Sequence, residues 1–158
     1  MMPLRHISDF IRRVKIERRF GELSRAPLKL LRLQIQAERA EVEWLARTSD
    51  EWDSSLPWRV REETFSLQAL QDAIALREMV FELLPDVHEA EFRAFRQSAC
   101  APPRMIIFGR VTREAPDVLR VASPAMRAKL YGLHFQMQEG VLRPFEMEES
   151  SLQLMISA

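Results

Sequence analysis

The residue types best suited to catalysis or metal binding are grouped in "DVHEAEF", at 86–92. A hydrolytic zinc helix of the form H-E-x-x-H would start at His88 and would need a second histidine where Phe92 stands. In a strand, His88 and Glu91 point to opposite faces, so the two side chains cannot bind one metal ion together. The sequence therefore predicts no catalytic residue, no metal site and no cofactor here, and favours a strand with a solvated acidic face.

The other residues and motifs that could support catalysis lack a required partner. Cys100 lies in a loop, and no cation next to it in the sequence would lower the pKa of its thiol. "SPAMRAK" has Met126 where the S-x-x-K motif of acyl-transfer enzymes has lysine. The four glycines are scattered singly, so there is no glycine-rich phosphate loop. A small-molecule enzyme with a site around His88, Glu91 and His134 stays open as an alternative.

The basic stretch "FIRRVKIERRF", at 10–20, holds five cationic side chains in eleven residues. At about 100° per residue, its first apolar side chains share one stripe of a helix and its cations lie opposite. This pattern is typical of a helix that lies on a hydrophobic surface of its own domain or of a second copy. The predicted binding residues are three apolar side chains and two neighbouring cations: Phe10, Ile11, Val14, Arg12 and Arg19.

The overall charge argues against a nucleic-acid partner and against an anionic membrane. The chain has 23 basic and 23 acidic residues, so no net field would steer a polyanion toward it. A protein partner or a second copy, giving a homodimer, is favoured instead. Because only three of the basic residues are lysines, the composition also indicates a GC-rich, bacterial genome.

Cysteine usage and hydropathy bear on the compartment. Cys100 is the only cysteine, so no internal disulfide can form and a reducing compartment is the simpler inference. The first residues lack the pattern of a secretory signal, and no apolar run reaches the roughly 20 residues of a membrane span. We therefore expect a cytoplasmic protein.

Hydrophobic periodicity predicts helices and hairpins in alternation. Alternating residues predict strands over 30–36, 40–47 and 87–95, and "LHFQMQEGVLRPF" predicts a tight hairpin. The stretch 104–112 is apolar on both faces, which predicts a central strand. A helix is expected at the basic stretch. A long one is expected from a cap at Ser54 or Ser55 to Leu84, with Leu67 on its apolar stripe. A short one begins at Ser123 and Pro124.

These elements predict one α+β domain over 1–158, from an N-terminal basic amphipathic helix at 1–21 to an acidic and then apolar tail at 147–158. Its sheet is expected to be mainly antiparallel, with about six strands in three hairpins and helices chiefly on one face. The long helix should cross the centre of the sheet.

Residues 70–138 run through a helix, "VHEAEFRAF", "MIIFGRV", a helix and "LHFQMQ". This order resembles the α-β-β-α-β order of the BON domain, and "IIFGRV" with Gly109 is similar to that family's strand with a central glycine. The resemblance implies a module that binds phospholipid membranes. It covers under half of the chain, lacks the closing glycine-valine segment and carries no binding residue over.

Taken together, these patterns favour a non-enzymatic binding or protein-interaction module. The alternatives are the small-molecule enzyme described above and a BON-like or basic-helix binder of membranes or nucleic acid.

Overall fold

The computed structural model of the protein describes residues 28–47, 55–97, 101–114, 118 and 120–146. In chain order, the elements are β1 (Lys29–Gln36), β2 (Arg39–Leu45), α1 (Trp58–Leu83), β3 (Glu89–Arg96), β4 (Arg104–Thr112), α2 (Pro124–Leu130), β5 (Leu133–Gln138) and β6 (Val141–Arg143). The helix predicted at 1–21 and the tail at 147–158 lie outside the described residues.

The six strands form one sheet whose spatial order, β1 to β6, is also the chain order. Four of the five neighbouring pairs are antiparallel, and β2 and β3 are parallel. A parallel pair needs a long crossover connection, which α1 supplies. The predicted α+β class, with three hairpins in a mainly antiparallel sheet of six strands, is confirmed.

The core lies between the sheet and the two described helices. On β2 and β3, every second residue is buried on the side of α1, so both strands show the predicted alternation. Trp44 and Phe92 meet edge to face here, with ring centroids 5.3 Å apart and an interplanar angle of 88°. Three buried alanines lie on the same face of these strands: Ala40, Ala90 and Ala94. These small neighbours leave room for α1 to lie close to the sheet.

The first hairpin differs from its predicted pattern at one residue. Leu31 is 44% exposed, although regular alternation along the predicted strand 30–36 would place it on one face with Leu33 and Ile35. The pairing of β1 with β2 shifts between Leu30 and Arg32, and this bulge turns Leu31 away from the core. The tight turn that follows has Ala37 at a φ of 52°, a left-handed conformation that is uncommon for alanine.

α1 begins at Trp58, with Pro57 as a cap that makes no side-chain hydrogen bond, so Ser55 is not the cap that was predicted, and Ser54 lies outside the described residues. The predicted apolar stripe is wrong at Leu67, which is 46% exposed. Ser66 is buried next to it, and its hydroxyl accepts a 2.8 Å hydrogen bond from the Leu142 amide of β6. β6 therefore lies along the side of the helix that holds Ser66.

Asp72 is a buried carboxylate in the middle of α1, with a side chain only 4% exposed. The guanidinium of Arg47, just beyond β2, donates two 3.1 Å hydrogen bonds to the two oxygens of Asp72. Gln68 donates a third, at 2.9 Å. This bidentate pair fixes α1 to the end of β2, because a planar guanidinium matches a carboxylate in one geometry.

Two arginines fasten the other end of α1. The buried Arg77 donates to the carbonyl oxygens of Thr112, at 2.7 Å, and of Arg113, at 3.2 Å, and it lies 4.3 Å from the Tyr131 ring centroid. Burial lowers the pKa of this guanidinium below its ordinary value. Arg113 in turn donates to three carbonyl oxygens at the helix end, those of Phe81, Leu84 and Val87. Such a cation satisfies groups that a helix terminus leaves unbonded.

Near the start of α1, Glu62 accepts two hydrogen bonds from Arg96 of β3, at 2.6 and 2.7 Å. The hydrogen bond from Arg96 lowers the pKa of Glu62 below its ordinary value of 4.5, and the partial burial that would raise it is the smaller effect. The pair therefore stabilises the fold above the unfolded-state pKa, and this stabilisation is lost as the pH falls through the folded-state pKa.

We expect Glu62→Gln to lower the free energy of unfolding at pH 7 and to have a smaller effect at pH 3, because the stabilisation by the pair is lost as the pH falls and Glu62 is protonated. Urea unfolding at both pH values measures the difference. Glu63→Gln is the matched control, because Glu63 forms an exposed pair with Arg59. Equal losses for Glu62→Gln at pH 7 and pH 3 would contradict the expectation.

Candidate functional site

The binding residues predicted in the basic stretch lie outside the described residues, and so does Cys100. These are Phe10, Ile11, Val14, Arg12 and Arg19. The surface that they form stays a prediction.

The three residues of the alternative enzyme site lie in different surroundings. His88, which was predicted to lie within a strand over 87–95, sits in the connection one residue before β3, and its amide donates to the Glu38 carbonyl oxygen at 2.8 Å. Glu91 lies within β3. His134 lies on β5 with its ring centroid 5.2 Å from that of Phe108. Among the described residues, no hydrogen bond joins any two of the three side chains.

His88 contributes to an open cleft where the start of β3 meets the end of β4. The cleft is lined by Glu38, Arg39, His88, Glu89, Thr112, Arg113 and Glu114. The Arg113 guanidinium is already bonded to the carbonyl oxygens at the end of α1, so it offers little to a ligand. The cleft brings a histidine near acidic groups, but it lacks a nucleophile paired with a base.

We call the side of the sheet opposite α1 and α2 the open face. Here Arg93 lies between two carboxylates, 3.0 Å from Glu43 and 3.2 Å from Glu91. Glu91 also pairs with Arg110 of β4 at 3.1 Å. We call this chain of Glu43, Arg93, Glu91 and Arg110 the charged lattice. Each carboxylate in it already has a guanidinium partner, so the lattice is suited to tying β2, β3 and β4 together.

Beside the charged lattice lies a shallow basin of about 100 Å³. Its lining residues are Gln34, Gln36, Arg39, Ala40, Glu41, Glu89, Ala90 and Glu91. Glu41 is paired with Arg32 at 3.1 Å, and Glu89 is paired with Arg39. No group of three histidine, cysteine, aspartate or glutamate side chains in the described ranges is placed to hold a metal ion. The basin is thus a small hollow, the size of a few water molecules, whose carboxylates already have guanidinium partners.

Most of the exposed large hydrophobic side chains of the described residues lie on the helices or next to them. Eight large hydrophobic side chains are exposed among the described residues; five of them lie on α2 or along the first half of α1, and a sixth, Leu56, lies two residues before α1. We call these six the helical patch: Leu56, Trp58, Val60, Leu67, Met126 and Leu130. Val60 and Leu67 are seven residues apart, so they share one outward side of α1. Met126 and Leu130 are four apart and share one side of α2.

Sequence reasoning missed both the charged lattice and the helical patch. The acidic and basic residues of β2 and β3 do alternate with apolar ones, so their common face could have been read from the sequence. Their partners could not, because the contact between Glu43 and Arg93 depends on the parallel register of β2 and β3. The helical patch was not predicted, because the spacing of Leu67 along the helix matches that of the buried apolar residues and so indicated a buried side chain.

In the described part of the chain, neither helix combines the length and the hydropathy that a membrane span requires. The elements from α1 to β5 do follow the α-β-β-α-β order that suggested the BON domain. No protein-family model, no curated protein and no solved structure matches the chain, so that resemblance rests on element order alone.

Proposed function

We propose that this protein is a non-enzymatic protein-interaction module of the cytoplasm, and that the helical patch is its binding surface. The observation that carries the proposal is the concentration of exposed apolar side chains on the helices. Scattered apolar residues are normal on a soluble protein, whereas grouped ones mark interaction surfaces.

The chemistry of the helical patch fits a protein partner. It combines a tryptophan and a methionine with branched aliphatic side chains, and aromatic residues and methionine are enriched in protein interfaces. Methionine also adapts its shape to a facing surface, because its side chain is unbranched and flexible.

The partner that the proposal names is a second copy of the chain. The net charge is zero, so two copies meet without overall repulsion. The charged side chains of the charged lattice on the open face form ion pairs with one another. Among the described residues, the helical patch is therefore the surface better suited to bind a second copy. A homodimer with two-fold symmetry would place the same patch on both sides of the interface.

Sedimentation velocity over a range of concentrations tests the proposal. We expect the wild type to dimerise as its concentration rises and Leu67→Glu to remain a monomer, because a carboxylate buried in the interface would lack a partner. Leu31→Glu is the matched control. Leu31 is exposed to nearly the same degree, 44% against 46%, but lies on β1, away from the helices.

Circular dichroism should show that both variants keep the wild-type fold. A wild type that stays monomeric at every concentration would contradict the homodimer. Equal loss of self-association in both variants would place the interface elsewhere.

A further inference from the structure

We propose that Met126 is a redox-sensitive site in the helical patch, and that its oxidation by hydrogen peroxide to the sulfoxide switches off the binding of a second copy. This regulation rests on the self-association proposed above. The oxidised side chain would lie between two copies, where an unpaired polar group is unfavourable.

Met126 lies on the outward side of α2. It is 54% exposed, and Leu130, one turn further along the helix, is 45% exposed. Ala128 is the buried residue of this helix. At about 100° per residue, Ala128 lies about 160° away from both of them. The Met126 side chain is therefore on the side of α2 that faces away from the core.

The contacts of α2 keep this side outward. The Ser123 hydroxyl accepts a hydrogen bond from the Met126 amide at 3.4 Å, and the Nε of Arg127 donates to the Val121 carbonyl oxygen. Ala128 is fully buried in the hydrophobic core. A rotation of α2 that buried Met126 would expose Ala128 and break both hydrogen bonds. On a single copy of the chain, Met126 therefore stays accessible to a small oxidant.

The four methionines in the described part of the chain differ in exposure. Met79 and Met105 are buried, at 2% and 7% exposed, whereas Met137 is 39% exposed. Met137 lies on β5 and is not part of the helical patch. Among these four, Met126 is both the most exposed and the one that lies in the patch. It is thus the described methionine whose oxidation would alter the proposed interface.

The reaction needs only the thioether and hydrogen peroxide. A lone pair of the Met126 sulfur attacks one peroxide oxygen, so that a sulfur–oxygen bond forms and the oxygen–oxygen bond breaks. The second oxygen leaves as water and takes the proton of the transferred hydroxyl. The sulfur loses two electrons and the peroxide gains them. Because a methionine sulfoxide can be reduced back to the thioether, the modification is reversible.

Oxidation changes the property for which Met126 suits an interface. The thioether is apolar and adapts its shape to a facing surface, whereas the sulfoxide is polar and a strong hydrogen-bond acceptor. An acceptor buried without a donor weakens association. Conversely, a second copy bound at the helical patch would shield Met126 from the oxidant. Oxidation of Met126 and self-association therefore oppose each other.

Sedimentation velocity before and after peroxide treatment tests this regulation, with the oxidised residues identified by peptide mass spectrometry. Every protein carries Cys100→Ser, so that no disulfide can link two copies. We expect the dissociation constant of the dimer to rise about tenfold or more once Met126 is oxidised, because a buried acceptor is left unpaired. Met126→Leu keeps an apolar side chain of similar volume and should self-associate equally well before and after treatment.

Met137→Leu is the matched control, because Met137 is also exposed but lies on β5. This variant should remain as sensitive to peroxide as the parent protein. Met79 is buried in the core, and its oxidation would report unfolding. A second measurement follows the rates of oxidation over a range of protein concentrations. Met126 should react more slowly as the concentration rises, while the rate of Met137 stays constant.

The possible failures are distinguishable. A dimer that persists unchanged after Met126 is oxidised would overturn the redox regulation and leave the homodimer standing. Equal loss of self-association in Met126→Leu after treatment would assign the effect to another methionine and would also overturn it. A protein that is monomeric before any oxidation would overturn the homodimer and, with it, the regulation.

Discussion

Replacing Gly109 by alanine is expected to lower the free energy of unfolding by about 3 kcal/mol, the upper end of the usual range for overpacking a folded structure. A Cβ atom on Gly109 would overlap the carbonyl oxygen of Gly132 and would lie 2.9 Å from the Cα of Leu133. Both neighbours are backbone atoms, so no side-chain rotation can relieve the contact. The strands β4 and β5 would have to separate.

Their separation should be costly because the ladder between them is short. β4 pairs with β5 through only three residue pairs, and Gly109 with Leu133 is one of them. Losing that pair would loosen β5 and, with it, the hairpin to β6.

The free energies of unfolding of Gly109→Ala and Gly140→Ala, measured in urea, separate the effect of the close backbone contact from that of backbone strain. Gly140, unlike Gly109, adopts a positive φ, of 81°, but a Cβ there would make ordinary contacts with the flexible side chain of Glu63. Alanine at Gly140 should therefore cost about 1 kcal/mol, from backbone strain alone. Equal losses for the two variants would show that the close approach of β4 to β5 is not what requires glycine.

Replacing Asp72 by alanine is expected to cost about 3 kcal/mol, the lower end of the range for breaking a buried ion pair. The variant leaves the Arg47 guanidinium and the Gln68 amide without the carboxylate that accepts their hydrogen bonds. We expect the lower end because the Arg47 side chain is 19% exposed and can still reach water.

A double variant that removes both charges checks this assignment. Asp72→Leu with Arg47→Met removes both charges together and should recover most of the lost stability, because hydrophobic residues of similar size replace a buried pair well. Glu63→Ala breaks the exposed pair with Arg59 and should cost less than about 1 kcal/mol. A double variant no more stable than Asp72→Ala would mean that Asp72 acts mainly through Gln68.

The sequence predicted the local elements well because their signals are local. Ser123 caps α2 by accepting from the Met126 amide at 3.4 Å, with Pro124 as the first helical residue, as expected. Glu139 and Gly140 form the predicted tight turn, both with positive φ. Such a turn matches the twist of a hairpin.

Features that depend on tertiary contacts could not be predicted in the same way. Asp72 and Arg77 are buried because Arg47 and the carbonyl oxygens at 112 and 113 meet them, and these partners are far away in the sequence. The bulge at Leu31 likewise depends on how β1 fits β2. For the candidate site, the three separate surroundings of His88, Glu91 and His134 required the strand register.

The single parallel pair has a consequence for how the chain folds. Three antiparallel pairs are hairpins with short connections, and β4 and β5 are linked through the short helix α2. β2 and β3 can meet only after the whole of α1 has been brought across the sheet, which closes a much longer loop and is slower to form. Until that step, β3 presents an unpaired edge to the surroundings, and such edges are where incompletely folded chains associate with one another.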